Sequence, residues 1–245
     1  MRLSLMRLAV LAGFLAAADL AAQVVHQPTP VERPSGSYMV FKFDWDQGRP
    51  WLKYTLSVDE AGNAHFEGVG NPVDSSDGDA YSEDFIMSDA NREKVFQLAK
   101  KADFFRGDFE TKQKNVAKTG QKTLEYHGQT SGGGPVATTA ATYNYSTNSD
   151  IQELTRFFQA VATTIDFGRK LAFQYRFDKL GLDARLNSLQ EMQSSHFAEE
   201  LQAIEPILHK IADDPNMMHI NRVSAKQLLK SIGPMVAPSQ PASQP

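Results

Sequence analysis

Residues 71–84 read Asn-Pro-Val-Asp-Ser-Ser-Asp-Gly-Asp-Ala-Tyr-Ser-Glu-Asp, five acids around one glycine. Carboxylates at this density are the ligand chemistry of calcium. An EF-hand loop turns sharply at a glycine in its sixth position and takes oxygen ligands at positions 1, 3, 5 and 12. With Gly78 as that glycine, Val73 falls at position 1 and offers no oxygen. The short Asp84 falls at position 12, where a bidentate glutamate is needed. The EF-hand reading fails. Two readings remain: a polar connection between strand and helix, which the residue types favour, and an irregular calcium site on Asp74, Asp77 and Asp79.

Other reactive residue types lack their partners. Lys118-Thr119-Gly120 carries the letters of one motif of the serine penicillin-recognising enzymes, but no Ser-x-x-Lys occurs to supply an activated serine. No Gly-x-Ser-x-Gly elbow is present. Ser131-Gly132-Gly133-Gly134 has no following lysine to make it a phosphate loop, and Asp166-Phe167-Gly168 reads as a helix end. The histidines His26, His65, His127, His196, His209 and His219 include no pair four apart, the spacing that puts two imidazoles on one helical face for zinc. Met217-Met218-His219 offers soft copper ligands by type, yet reads as core and cap contacts. Paired carboxylates can hydrolyse glycosides when held at fixed separation, which no sequence displays. Trp45 and Trp51 flank the first turn and read as hairpin packing.

The N-terminus indicates where such chemistry would operate. Arg2 and Arg7 precede an apolar run from Leu8 to Ala18, and small residues follow to Ala22. This is the pattern of a secretory leader, with cleavage expected after Ala22 or, alternatively, Ala18. The run is shorter than the roughly 20 residues a membrane span needs, so no span is expected once the leader is removed. Absence of cysteine excludes disulfides, thiolate metal sites and cysteine nucleophiles. The balance of 25 basic and 29 acidic residues lacks the clustered basic surface of a nucleic-acid binder. Lys112, Lys114, Lys118 and Lys122 form a local basic stretch that reads as a solvated edge strand.

The elements that must position these residues fall into two halves. Pro28, Pro30 and Pro34 make 23–36 an extended linker, and the Pro/Ser/Ala/Gln-rich tail over 234–245 is expected to be disordered. Strands are expected over Tyr38–Trp45, over 52–58, where Leu52, Tyr54, Leu56 and Val58 alternate with polar residues, and over 64–69 after a turn at Asp59–Asn63. Two more are expected near 122–127 and 136–145. Between them, Val95, Leu98, Ala99, Ala102 and Phe105 recur at helical spacing behind a cap at Ser88 or Asp89. Asn148, Ser149 or Asp150 caps a helix that presents Ile151, Leu154, Phe158, Val161 and Ile165 on one face, with a break or kink at Gly168. Amphipathic segments over 169–181, 184–212 and 219–232 follow, with a turn at Asp213–Asn216. Strands grouped before helices predict an α+β fold, an antiparallel sheet of about five strands in a domain over 37–168, followed by a helical extension over 169–233.

Tyr54-x-Leu56-x-Val58, Gly62, Phe66-x-Gly68, Leu98, Phe104-Phe105, Leu154 and Phe158 together resemble a family of exported bacterial α+β domains that is itself uncharacterised. The resemblance covers about residues 38–167 and implies a fold and an exported location, with no activity attached. Asp214-Pro215, Arg222, Ala225, Leu228 and Leu229 are similar to one helical hairpin of a HEAT-type repeat over 204–232. A solenoid needs three or more copies and one is visible, so this region reads as a helical cap on the sheet. The expectation is an exported, non-enzymatic binding or cell-envelope interaction module whose partner is a protein or envelope component, without cofactor. The alternative is an exported hydrolase with carboxylate or calcium-dependent chemistry on the 74–84 loop.

Overall fold

The computed structural model describes residues 36–45, 51–70, 80–128 and 137–232. The expected leader, the linker as far as residue 35, the tail over 234–245, and Asp74, Asp77 and Asp79 lie outside them. Six strands, β1 (Tyr38–Asp44), β2 (Trp51–Asp59), β3 (Asn63–Gly70), β4 (Ala80–Ile86), β5 (Gln121–Gly128) and β6 (Ala137–Tyr143), form one antiparallel sheet in the order β4-β3-β2-β1-β5-β6. The helices are α1 (Asp89–Lys101), α2 (Ser149–Phe177), α3 (Leu182–Ser194), α4 (Glu205–Asp213) and α5 (His219–Ser231). The fold is α+β, with helices filling the C-terminal half.

Alternation along the strands divides the sheet into a dry and a wet face. Register places Phe41 between Leu56 and Leu124, and Leu56 beside Phe66, in one buried row. The ring of Phe158 from α2 stacks on Phe41 with centroids 5.2 Å apart. The five apolar residues expected on one face of α2 are all fully buried there. Asn148 proves to be the cap: its side-chain oxygen accepts the N–H groups of Asp150 and Ile151. The hairpin at 59–63 closes as expected, with Gly62 at φ 91° and the buried Asp59 carboxylate accepting from the backbone and side chain of Asn63.

Several expectations are corrected. The sixth strand, β4, takes residues 80–84 out of the expected acidic loop. It is an edge strand on which only Phe85 is buried, and exposed charges suit an edge that must not pair further. Gly168 neither breaks nor kinks α2. A Cβ there would lie 2.3 Å from Cγ2 of Ile204, so the glycine permits close packing of α2 against the short 3₁₀ turn Leu201–Ile204. Asp166-Phe167-Gly168 is accordingly mid-helix. The expected helix over 184–212 is interrupted by an irregular stretch at 195–200 and the 3₁₀ turn, with His196 and Glu200 at positive φ. Lys122 is no edge lysine: β5 is internal and the side chain is buried.

Two hydrophobic cores result. One lies between the sheet, α1 and the first half of α2, and the other is enclosed by the rest of α2 with α3, α4 and α5. Glu200 ties them together. Its backbone is left-handed (φ 60°, ψ 52°) and its buried carboxylate accepts from the Ser88 N–H and Oγ–H at 2.8 Å each, from Asn91 Nδ2 at 2.5 Å and from Gln202 Nε2. Contrary to the expectation of a cap at Ser88 or Asp89, the Ser88 side chain does not cap α1. A carboxylate from 112 residues away takes that role, where the helix N-terminus favours negative charge.

Candidate functional site

The residues singled out for chemistry are scattered by the fold. His65 meets Asp84 at 2.6 Å, His196 meets Glu199 at 3.0 Å, and His209 lies between Glu205 and Asp213. Met217 is buried and shares a contact with Asn221 Nδ2, whereas Met218 and His219 are exposed. Trp45 packs against the sheet core. Among the described residues, no three His, Asp or Glu side chains converge as a metal site.

The wet face of the sheet carries one ordered network. Lys42 Nζ donates to Glu125 at 2.6 Å, the second Glu125 oxygen meets His127 Nε2 at 3.2 Å, and His127 Nδ1 meets Thr138 Oγ1 at 3.1 Å. Tyr38 lies flat on the imidazole, its ring 4.3 Å away and within 2° of parallel. Carboxylate, imidazole and hydroxyl stand in the order that activates a nucleophile. They do so on an open face beside a shallow depression of about 390 Å³ lined by Lys42, Asp44, Lys53, Thr55, Glu67 and Thr123. Burial raises the Glu125 carboxyl, but its bonds to Lys42 and His127 outweigh this and hold it below the usual carboxylate range. A depressed folded-state value means stability present above the ordinary range and lost as pH falls through it. Lys42→Met should therefore lower the melting midpoint slightly at pH 7, by about 0.5 kcal/mol equivalent. That difference should shrink as pH falls through the lowered folded-state range of Glu125 and vanish once the carboxyl is protonated in both states.

A second polar centre sits at the far end of the dry face. Lys122 Nζ reaches Asn144 O at 2.6 Å, Thr119 Oγ1 at 2.7 Å, Gly120 O at 2.9 Å and Thr119 O at 3.4 Å. Four acceptors more than saturate its three N–H groups, so the ammonium ties the 119–120 turn to β6. Beside it, burial pushes the Tyr143 phenol far above its ordinary range, and its hydroxyl pairs with Thr155 at 2.6 Å. Tyr81 is raised likewise, by burial and then by its bond to Glu83. Both shifts favour the neutral phenol.

The surface that departs most from expectation is apolar. In α2, Leu171 is fully buried while Phe173 is 45% and Phe177 is 73% exposed, and Leu180 beyond the helix is 82% exposed. The two phenylalanines, four apart, hold their rings 5.1 Å from each other. Arg176 lies on the same outward stripe, and Lys179 rests 5.7 Å from the Tyr175 ring centroid. Asp178, exposed between Phe177 and Lys179, accepts the Gly181 N–H. Tyr175 bonds to Asp214, and Asn221 Nδ2 reaches Lys179 O, which bring the start of α5 to this end of the molecule. There Met218 (41%), Ile220 (52%) and Val223 (39%) are exposed as well. Sequence periodicity marks 169–181 as amphipathic but not which apolar stripe faces out, because Leu171/Tyr175 and Phe173/Phe177 share the same spacing.

Compared with family models, curated proteins and solved structures, the chain matches none. Among the described residues no helix is long and apolar enough to cross a membrane.

Proposed function

We propose that this chain is an exported, non-enzymatic cell-envelope interaction module, a rigid α+β scaffold that presents a binding surface at the outer end of its helical region. The observation that carries the reading is the exposure of Phe173, Phe177 and Leu180, with Met218 and Ile220 exposed at the start of α5, whose Asn221 reaches the Lys179 carbonyl. A folded monomer gains nothing from holding two phenylalanines and a leucine in water, and contiguous apolar surface of this kind marks an interaction site. The leader-like start of the sequence and the resemblance to exported bacterial domains support the location. Cell fractionation tests the proposal. The protein should partition with membranes and wall, and the Phe177→Ser/Leu180→Ser variant should move to the soluble fraction with its melting midpoint unchanged. Wild-type protein found wholly in the soluble fraction overturns the reading.

One observation favours a second reading, the hydrolase: the Glu125–His127–Thr138 chain on the wet face. Its metal-dependent form rests on Asp74, Asp77 and Asp79. On the first reading, melts in excess calcium and in chelator have the same midpoint. A ligand at 100 times its dissociation constant stabilises by about 2.7 kcal/mol, and each kcal/mol moves the midpoint by roughly 2–4 °C at this size. A calcium-dependent rise of that order, lost in Asp77→Asn/Asp79→Asn, moves the assignment to the loop.

A further inference from the structure

We propose that the cavity between the end of β6 and the first half of α2 binds one ring of a neutral sugar, held by side-chain donors and acceptors that the fold leaves without protein partners. The site goes beyond the envelope-interaction reading and is separate from the apolar surface that carries it. At 1.5 Å per residue, Gln159 and Phe177 stand roughly 27 Å apart along α2. The cavity measures about 270 Å³ and is lined by Tyr143, Tyr145 and Ser146 together with Gln152, Arg156 and Gln159. The helix contributes these residues because positions 152, 156 and 159 share one face, while Leu154 and Phe158 turn into the core. The volume is near the lower limit of small-molecule sites and suits a single ring.

The hydrogen-bonding capacity of the lining selects the ligand class. Ser146 is 3% exposed, and its Oγ accepts the Asn148 N–H at 3.2 Å. Its own proton has no acceptor among the described residues. Gln152 Nε2 donates to Tyr145 Oη at 3.1 Å and to Ser146 O at 2.8 Å, which leaves Gln152 Oε1 and the Tyr145 proton without partners there. The Gln159 amide makes no hydrogen bond, and Arg156 makes neither hydrogen bond nor ion pair, among the described residues. Tyr143, by contrast, is bonded to Thr155. Donors on Ser146, Tyr145, Arg156 and Gln159 therefore stand beside acceptor oxygens on Gln152 and Gln159. A hydroxyl both donates and accepts, so a ring carrying several matches both kinds. An anion leaves the two amide oxygens unmatched, an ammonium meets Arg156, and each polar group covered without a partner costs about 1–3 kcal/mol. Charge also selects a neutral ligand. Lys94, bonded to Glu153 at 2.8 Å, and then Arg156 hold that carboxyl below its usual range, so Arg156 already has an acid nearby. Glu110 in turn accepts the Asn144 N–H close to Lys122. The ring of Tyr145, 39% exposed, offers the C–H face of a sugar an apolar wall.

Isothermal titration of the purified protein with glucose, galactose, mannose and N-acetylglucosamine tests the inference, with acetate as an anion that carries no hydroxyl. The expected result is saturable binding of at least one of these sugars, at least tenfold tighter than acetate. Gln159→Leu and Arg156→Met should each weaken that binding at least tenfold. Neither side chain bonds to the protein among the described residues, so both variants should melt close to the wild type. Phe177→Ser/Leu180→Ser should bind the sugar unchanged, which separates this site from the apolar surface. Amide chemical shifts of the wild type locate the site without any substitution, and those moved by the sugar should cluster over residues 143–159. Cellobiose and diacetylchitobiose distinguish the source of the ring. Tighter binding of a disaccharide than of its monomer points to a glycan end and equal binding to a free sugar, and both uphold the inference. It is overturned if none of the four sugars binds, if acetate binds as tightly, or if the shifts lie elsewhere. The fractionation result is independent of all these outcomes, so either reading can fail while the other stands.

Discussion

Glu200→Ala is expected to lower the melting midpoint by roughly 10 °C, a loss of about 3–4 kcal/mol at the 2–4 °C per kcal/mol typical of this size. The carboxylate is 5% exposed and collects four donors from α1 and the 3₁₀ turn. Hydrogen bonds to a charged acceptor contribute about 1.5–3 kcal/mol each, and they are not additive when one group serves all. Truncation also leaves the Ser88 N–H at the start of α1 without its partner. Glu200→Gln should cost about half as much, because one acceptor oxygen survives and the Asn91 and Gln202 amides can turn to meet the new NH₂. Glu200→Gly should fall between wild type and alanine. It loses the carboxylate but relieves a left-handed backbone that costs a non-glycine residue about 1 kcal/mol or more. Thermal and urea melts of the three variants check the ranking. If alanine and glutamine are both near wild type, the clamp contributes little and the two cores hold together by packing alone.

Gly168→Ala should destabilise by about 2 kcal/mol, against the helix-propensity rule. In a solvated helix this change adds roughly 1 kcal/mol of stability. Here the new methyl meets Ile204 Cγ2 at 2.3 Å and Cβ at 3.0 Å, and Ile204 is itself buried and stiff about χ1. Overpacking of this kind costs about 1–3 kcal/mol. Ile204→Leu moves the branch one carbon outward and removes the clashing Cγ2. The double variant Gly168→Ala/Ile204→Leu should therefore recover more than half of the loss, with a coupling above 0.5 kcal/mol in the double-mutant cycle. A Gly168→Ala protein as stable as wild type would mean that the 3₁₀ turn shifts freely, and that α2 is not seated against it.

Much of the architecture is legible along the chain. Alternation of Leu52, Tyr54, Leu56 and Val58 marks β2, and the spacing of Ile151, Leu154, Phe158, Val161 and Ile165 marks the buried face of α2. Asp59 to Asn63 and Asp213 to Asn216 mark turns that form where expected, each with an aspartate accepting a nearby backbone N–H. These signals are local, set by periodicity and by side chains that bond within a few residues, so they survive without knowledge of neighbours. β4 escapes because an edge strand buries only one residue, Phe85, and its acids read as loop.

Tertiary structure alone decides the rest. Ser88 has the composition of a cap, but the acceptor that serves α1 arrives from position 200. Gly168 has the composition of a break, but Ile204 makes it a point of contact. Lys122 looks like one of a solvated row until the sheet order puts β5 inside. Phe173 and Phe177 belong to an amphipathic segment in which either apolar stripe satisfies the period, and only the packing of Leu171 and Tyr175 into the second core, with α3 and α4 against this half of α2, sends the phenylalanines outward. The sequence by itself determines five of the six strands, the helical character of the C-terminal half, the turns and the absence of thiol chemistry. Which side chains meet across the fold, and which are left facing water, depends on long-range contacts that residue spacing does not encode.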